Sequence, residues 1–196
     1  YSYRNKTIRY LLLLISSIGF IGLPFQVFMP VFARDILHGN SQLLGFLTGS
    51  LGAGALVGAF YLASRKSIRS LPKIILVSSI LFGIGLFVFS LSSNTAVSLG
   101  VIFITGFGMI VQFAATNTLL QHIVDEDKRG RVVALYGLSF MGITPLGSLL
   151  LGSISPTIGV QLTLAIAGLL CLFAVVLFGR KYGTIAQTVK RFENSH

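Results

Sequence analysis

The sequence contains very little charge. Only 10% of its 196 residues are Asp, Glu, Lys or Arg, whereas a soluble domain carries about a quarter. Five of these residues are acidic and fifteen are basic, which gives a formal net charge of +10. The single cysteine, Cys171, excludes a disulfide-stapled secreted module. With 54% hydrophobic residues and a mean hydropathy of +0.86, the charge deficit also excludes a soluble enzyme and a disordered chain.

The few charges are clustered, and four long blocks contain none. These blocks are residues 10–33, 36–64, 74–124 and 132–179. A charged side chain at the centre of a bilayer costs about 2.5 to 3.5 kcal/mol, so membrane insertion of the blocks accounts for the clustering. A helix of about 20 apolar residues crosses the hydrocarbon layer. The two shorter blocks therefore hold one crossing each, and the two longer blocks hold two each.

These blocks predict an all-α membrane protein with six transmembrane helices. Ser92-Ser93-Asn94 divides the third block, and the segment from Ser155 to Gly159 divides the fourth, because proline and glycine end helices and favour turns. Residues 1–9 are then an N-terminal segment, residues 10–179 the membrane domain and residues 180–196 a tail. The predicted spans, numbered 1 to 6, are Tyr10–Phe32, Leu43–Ala63, Ile74–Leu91, Ala96–Leu120, Val132–Ile154 and Val160–Phe178.

The basic residues indicate the orientation of the chain. The N-terminal segment, the loop after span 2, the loop after span 4 and the tail hold 14 of the 15 basic residues, and only Arg34 lies on the other side. Basic loops stay in the cytoplasm, so we expect both termini to be cytoplasmic. Nucleic-acid binding is not expected, because these short loops lack base-stacking aromatic residues. The first apolar run is also too long for the core of a signal peptide.

The positions of polar residues suggest an internal repeat. Three crossings followed by three more place spans 1 and 4, 2 and 5, and 3 and 6 in matching positions with opposite direction, as in many transporters. Amides occur in the middle of spans 1 and 4, whereas spans 3 and 6 are apolar through their middles. Since polar groups are costly against lipid, we expect spans 1 and 4 to line protein or water and spans 3 and 6 to face lipid.

Span 4 carries a polar arc. At 100° per residue, two threonines, a glutamine and an asparagine fall within about 140° of one another, with a methionine and a phenylalanine between them. One interpretation is a cavity wall for a small molecule. The other is that these groups only join helices by hydrogen bonds. Together with side chains of span 1, the predicted cavity residues are Phe20, Gln26, Phe28, Thr105, Met109, Gln112, Phe113, Thr116 and Asn117.

Glycine is concentrated in spans 2 and 5. Span 2 has two pairs with the GxxxG spacing that permits close helix approach, on nearly opposite faces, which suggests neighbours on both sides. In span 5 the glycines surround a proline and predict local bending, for which a gating role and a static kink are both open. The predicted packing or gating residues are Gly45, Gly49, Gly54, Gly58, Gly142, Pro145 and Gly147.

The residues that catalysis would need are missing from the spans. All five acidic residues and all three histidines lie outside the middles of the spans, and no HExxH, paired Asp, GxSxG or Walker A motif occurs. We therefore expect no enzymatic activity, no metal site and no cofactor. Asp127, Arg129 and Arg131 are interpreted as part of a solvated cytoplasmic loop.

Four stretches carry a resemblance to a known family. They are LPFQVFMPVFARD at residues 23–35, GFLTGSLGAGALVG at 45–58, the segment from Asn117 to Val132, and the segment from Leu135 to Gly152. The whole chain resembles the C-terminal six-helix half of a major facilitator superfamily transporter. It is most similar to the branch of bacterial enterobactin exporters and macrolide efflux proteins.

The resemblance implies a place for each helix and a function. The six spans would be helices seven to twelve of a twelve-helix fold, preceded by the end of a linker in residues 1–9. Spans 1 and 4 would line the cavity, and spans 2 and 5 would face an N-terminal half or a second copy. The function implied is efflux of amphipathic drug-, macrolide- or siderophore-like molecules by alternating access across the bacterial cytoplasmic membrane.

Two features of this chain qualify that resemblance. Such exporters are usually driven by proton antiport, but no titratable acid lies within a span here, so the coupling carboxylate is expected in the N-terminal half. The loop at residues 63–69 also lacks the acidic residue that the superfamily carries there, which argues against a charge-pair lock in this half.

Two non-transporter classes are the alternatives. One is a six-helix membrane scaffold or assembly partner, which a gene without six further apolar spans upstream would favour. The other is a channel, against which the lack of a re-entrant filter-like loop argues.

Overall fold

A computed structural model describes residues 6–65 and 67–193, and every regular element within them is helical. Residues 1–5, 66 and 194–196 lie outside the described ranges. They include Arg4, Lys66 and the two ends of the predicted terminal segments. Six helices are long and apolar enough to cross a membrane, which confirms the predicted count and the all-α class. They keep the numbers 1 to 6 and run over Lys6–Ile36, Ser41–Ala63, Ile68–Leu91, Thr95–Ile123, Glu126–Ile158 and Val160–Gly179.

Asparagine caps fix where spans 2 and 4 begin. The Asn40 Oδ1 accepts hydrogen bonds from the backbone N–H groups of Gln42 and Leu43 at 3.1 and 3.2 Å. The Asn94 side chain does the same for two N–H groups of span 4, at 2.9 and 3.2 Å. These bonds satisfy donors that the first turn of a helix leaves unpaired. The turn predicted at Ser92–Asn94 is thereby confirmed.

Span 5 is longer than its charge-free block. It begins at Glu126, because acidic residues in the first turn interact favourably with the positive end of the helix dipole. Contrary to the break expected at Ser155–Gly159, it also continues through Pro156 to Ile158, without the hydrogen bond that a proline cannot donate. The chain turns only at Gly159, whose φ of +86° is one that glycine adopts without strain.

Spans 1 and 5 are interrupted in the same way. A π-helical turn, Ile18–Gly22, precedes Pro24 in span 1, and another, Leu138–Gly142, precedes Pro145 in span 5. A proline cannot donate a hydrogen bond to the carbonyl one turn earlier, and its ring crowds that carbonyl. The wider π turn is a common way to accommodate such a disruption. Each of these spans therefore consists of two helical pieces joined at a proline.

The predicted inverted repeat is visible in the helix packing. Span 4 packs on spans 2 and 3, span 1 packs on spans 5 and 6, and spans 3 and 6 pack on each other. If span 1 is exchanged with span 4, span 2 with span 5 and span 3 with span 6, the same set of contacts results. The bundle is therefore built from two inverted three-helix repeats, the arrangement of half a major facilitator fold.

Backbone contacts follow the same symmetry. A Cβ atom placed at Gly54 of span 2 would overlap the carbonyl oxygen of Phe103 in span 4. A Cβ atom placed at Gly147 of span 5 would overlap the carbonyl oxygen of Phe20 in span 1. Glycine at these two positions lets the helix axes approach closely. Phe20 and Phe103 thus mark equivalent crossings in the two repeats.

A further helix, Tyr182–Glu193, follows span 6 and was not predicted. Ile185 and Val189 on one of its faces are buried, and the Thr7 Oγ1 donates a hydrogen bond to the Thr188 Oγ1 at 3.2 Å. This helix contacts the beginnings of spans 1 and 3. Both terminal regions therefore lie at the same end of the bundle, together with the basic loops.

Candidate functional site: the polar wall of spans 1 and 4

The predicted cavity wall is centred on a contact between spans 1 and 4. The Gln26 Nε2 donates to the Met109 Sδ at 3.8 Å, and the two residues are 83 positions apart. The same separation relates Phe20 to Phe103, so Gln26 and Met109 occupy matching positions in the two repeats. Gln26 is exposed and Met109 half-buried. This surface offers an amide and an adaptable, polarizable thioether side by side.

Asn117 continues the wall along span 4, two turns beyond Met109. Its side chain is half-buried, and its Oδ1 accepts a hydrogen bond from the Gln121 Nε2 at 3.1 Å. Side chains four residues apart lie on the same face of a helix, so this bond holds the Asn117 amide in one orientation. The partly open section of the wall is therefore polar but uncharged.

Three other predicted wall residues, Thr105, Gln112 and Thr116, lie inside the bundle. Each is 0% exposed. The Thr105 hydroxyl lies against Gly85 of span 3, and Gly108, three residues later, also lies against span 3. Gln112 is one turn beyond Gly108, on the same side of span 4. The buried part of the polar arc is therefore turned toward span 3.

Gln112 and Thr116 are buried without hydrogen bonds. Both amide atoms of Gln112 and the hydroxyl oxygen of Thr116 lack a hydrogen-bond partner among the described residues. Leaving a buried polar group unpaired costs about 1 to 3 kcal/mol. Within the part of the chain that the structure describes, neither side chain therefore joins helices through a hydrogen bond.

Phe113 belongs to an aromatic cluster that joins spans 4 and 5. Its ring centroid lies 4.5 Å from that of Phe140, which is 6.4 Å from the ring of Tyr136. The Tyr136 hydroxyl also donates to the Phe113 carbonyl oxygen at 2.9 Å. Neither Tyr136 nor Phe140 was predicted as a site residue, although two aromatics four residues apart in a glycine-rich helix were a signal. The cluster connects spans 4 and 5.

The two phenylalanines of span 1 differ in position. Phe28 is buried in the core, whereas Phe20 is half-buried and its carbonyl oxygen faces Gly147. Beside that crossing, the Thr144 Oγ1 lies within hydrogen-bond distance of two carbonyl oxygens, that of Phe140 at 2.6 Å and that of Gly19 at 3.0 Å. Phe20 therefore lies where the π-helical turns of spans 1 and 5 meet, whereas Phe28, which was expected to line the cavity, belongs to the hydrophobic core.

Spans 2 and 5 each pack with one face and leave a second face open. Gly54, Gly58 and Gly147 contact neighbouring spans, whereas no described atom lies within 4 Å of a Cβ placed at Gly45 or Gly49. Gly142 and Pro145 are exposed. Large apolar side chains continue the open faces and are also exposed, namely Phe46, Leu56, Phe60, Leu138, Met141, Leu146 and Leu149.

The residues expected in a loop after span 4, namely Asp127, Arg129 and Arg131, lie instead in the first turns of span 5, where they are solvent-accessible. Asp127 pairs with Lys128 at 3.5 Å, and Arg129 pairs with Glu126 at 3.9 Å. Arg131 is exposed. Ion pairs at such surfaces contribute about 0 to 1 kcal/mol. Within residues 6–65 and 67–193, no group of three or more His, Cys, Asp or Glu residues could hold a metal ion.

Comparisons with known proteins identify relatives of this arrangement. A family model described as "Transmembrane secretion effector", within the major facilitator superfamily, matches residues 1–188. The chain is 25% identical over 167 residues to the uncharacterized MFS-type transporter YfmI of Bacillus subtilis, covering 84% of this chain and 40% of that protein. It is 27% identical over 179 residues to the staphyloferrin A transporter of Staphylococcus aureus, covering 85% and 41%. No solved structure matches the chain significantly.

The chain spans about two fifths of the length of each of these relatives. Its six apolar spans, the symmetry of their contacts and a family match over nearly the whole sequence agree with one another. The molecule is a multi-pass membrane protein that resides in a lipid bilayer. It belongs to the transmembrane secretion effector family of the major facilitator superfamily.

Proposed function

We propose that this chain is the C-terminal half of a twelve-helix secondary transporter that exports amphipathic small molecules across the bacterial cytoplasmic membrane by alternating access. The observation that carries the proposal is the pair of open apolar faces on spans 2 and 5, on either side of the Gln26–Met109 contact. Inverted repeats of this kind bind substrate where repeats meet. An N-terminal half seated on the open faces would enclose the wall of spans 1 and 4.

The chemistry of the wall suggests the class of substrate. Gln26 and Asn117 offer uncharged hydrogen-bonding groups, and Met109 offers adaptable apolar contact. Such a surface suits drug-, macrolide- or siderophore-like molecules. One relative is named a staphyloferrin A transporter, which supports including siderophores among the candidates.

Energy coupling is assigned to the part of the transporter outside this chain. All five acidic residues lie at span ends or in terminal segments, so the described spans offer no carboxylate at mid-membrane to carry a proton. Carboxylates inside membranes are the usual proton relays of transporters. We therefore propose proton antiport through a carboxylate of the N-terminal half.

A transport assay on the full-length protein tests the proposal. Inside-out membrane vesicles with an imposed pH gradient would be offered labelled siderophore, macrolide and lysophospholipid. We expect gradient-dependent accumulation of at least one class, abolished by a protonophore. Lack of accumulation for every class would overturn the export proposal.

Substitutions test the wall itself. Gln26→Leu and Asn117→Leu each remove a hydrogen-bonding group worth about 1.4 kcal/mol, so we expect the initial transport rate to fall about tenfold at unchanged membrane abundance. Gln187→Leu is the matched control, because Gln187 is an exposed amide in the helix that follows span 6, outside the six spans. Equal rates in the wall variants and the control would remove spans 1 and 4 as the substrate wall.

A further inference from the structure

A groove of about 460 Å³ opens between spans 2, 3 and 4, at the end where a basic loop joins spans 2 and 3. Span 2 contributes Tyr61, the loop after it contributes Arg65, and the beginning of span 3 contributes Ser70 and Lys73. Deeper in the bundle the lining becomes apolar and includes Val77 of span 3. We call this feature the basic groove.

The basic end of the groove carries two cations without an acidic neighbour. Arg65 and Lys73 are both exposed, and neither forms an ion pair with an acidic side chain among the described residues. Residues 63–69 contain no Asp or Glu. The Arg65 guanidinium lies 4.6 Å from the centre of the Tyr61 ring, which holds it at the mouth of the groove. The protein therefore presents positive charge here without neutralising it.

The other end of the groove is suited to hydrocarbon. Val77, Leu81 and Phe107 line it, and the Phe107 ring packs 5.6 Å from that of Tyr61. Val77 is 46% exposed, so the groove is open along its side to the surrounding bilayer. Cations and hydroxyls at the membrane boundary, followed by apolar side chains toward the membrane interior, match a phospholipid with a negatively charged headgroup.

We propose that the basic groove binds an anionic phospholipid. The headgroup phosphate would accept charge-assisted hydrogen bonds from Arg65 and Lys73, and an acyl chain would lie against Val77 and Leu81. Basic pockets between transmembrane helices are known to hold anionic headgroups. The lipid supplies the negative charge that residues 63–69 lack and links span 2 to span 3. This proposal does not depend on the transported substrate.

Lipid binding to the full-length protein tests the proposal. The purified transporter would be titrated with dioleoyl phosphatidylglycerol or dioleoyl phosphatidylcholine, and bound lipids counted by native mass spectrometry. We expect phosphatidylglycerol to bind more tightly. Arg65→Gln and Lys73→Gln should each weaken its binding about fivefold, since a cation near an anionic headgroup contributes about 1 kcal/mol, and Lys73→Arg should retain it.

Two matched controls separate the groove from general surface effects. Lys6→Gln removes an exposed cation at the same end of the bundle but outside the groove. Val77→Trp fills the groove and should weaken binding, whereas Ile84→Trp, equally exposed and two turns further along span 3, should not. Equal binding of the two lipids, an equal loss in Lys6→Gln, or unchanged binding in Val77→Trp would each overturn the proposal. Size-exclusion profiles identify any variant that misfolds. Lys73→Arg keeps the positive charge at this position, so its lipid binding still tests the role of that charge if Lys73→Gln misfolds.

Discussion

Gln112 shows, at the scale of a single residue, how stability and transport can conflict. Its side chain is fully buried, and its two polar atoms are unpaired among the described residues. A leucine has a similar size and no such desolvation cost. A polar group that weakens the packed bundle is consistent with a second arrangement in which a substrate, water or another helix pairs with it.

This argument predicts opposite effects of Gln112→Leu on two measurements. The free energy of unfolding should rise by about 1 to 3 kcal/mol, because the unpaired amide is removed. The initial transport rate should fall, because the amide is no longer available during the conformational cycle. Thermal unfolding of the detergent-solubilised protein and vesicle transport would measure the two effects.

The control for this substitution is Gln187→Leu, which changes an exposed amide in the helix after span 6 and should alter neither stability nor transport strongly. A Gln112→Leu variant that is less stable than the wild type would show that the full-length protein pairs the amide. A variant that is more stable and transports normally would assign Gln112 no part in transport.

A helical wheel could predict part of this site but not its burial. It correctly grouped Thr105, Gln112 and Thr116 on one side of span 4. It could not show which neighbour covers that side, because the cover depends on how closely span 3 approaches. That approach is set by Gly85 and Gly108, on two different helices. The contact between Gln26 and Met109 could not be predicted from the periodicity of each helix alone. Predicting it also requires the alignment of the two repeats.

At the scale of the helices, two crossings hold the repeats together. Span 2 meets span 4 at Gly54 and Phe103, and span 5 meets span 1 at Gly147 and Phe20. In both cases a glycine of one helix lies directly against a backbone carbonyl of the other. A side chain at either glycine would push the helices apart, and packed interiors tolerate such overpacking poorly.

The crossings predict that Gly54→Ala and Gly147→Ala each destabilise the protein by about 1 to 3 kcal/mol. Gly100→Ala is the matched control, because no described atom lies within 4 Å of a Cβ placed there and alanine favours a helix over glycine by about 1 kcal/mol. The thermal unfolding midpoint should fall for the first two variants and stay constant or rise for the third. Equal thermal unfolding midpoints in all three variants would mean that the helices at the crossings can move apart without loss of stability.

The helices themselves were predictable because charge marks the limits of the membrane-embedded segments. The ends of the helices were less predictable. Span 5, for example, starts at Glu126, because acidic residues are favourable in the first turn of a helix. Pro24 and Pro145 marked where spans 1 and 5 would be disrupted, but the π-helical form depends on partners such as the Thr144 hydroxyl. The helix at Tyr182–Glu193 escaped prediction because its sequence is not continuously apolar; among residues 182–189, Ile185 and Val189 are buried against the bundle.

At the scale of the whole molecule, the bundle exposes two kinds of apolar surface. Spans 3 and 6 expose large aliphatic side chains such as Val88 and Leu169, as lipid-facing helices do. Spans 2 and 5 expose apolar side chains interspersed with open glycines such as Gly49. Small residues are typical of helix–helix contacts in membranes, where backbones approach closely. The open faces of spans 2 and 5 are therefore better suited to another helix than to lipid.

This difference predicts how the full-length transporter responds to tryptophan at each surface. Gly49→Trp and Leu149→Trp, on spans 2 and 5, should abolish most transport, because a packed and moving helix interface cannot accept the added volume. Leu169→Trp, on span 6, should transport normally, since lipid chains adapt to a larger side chain. Vesicle transport would be compared at equal membrane abundance. Normal transport by Gly49→Trp would mean that lipid covers that face, and the N-terminal half would then have to contact other helices.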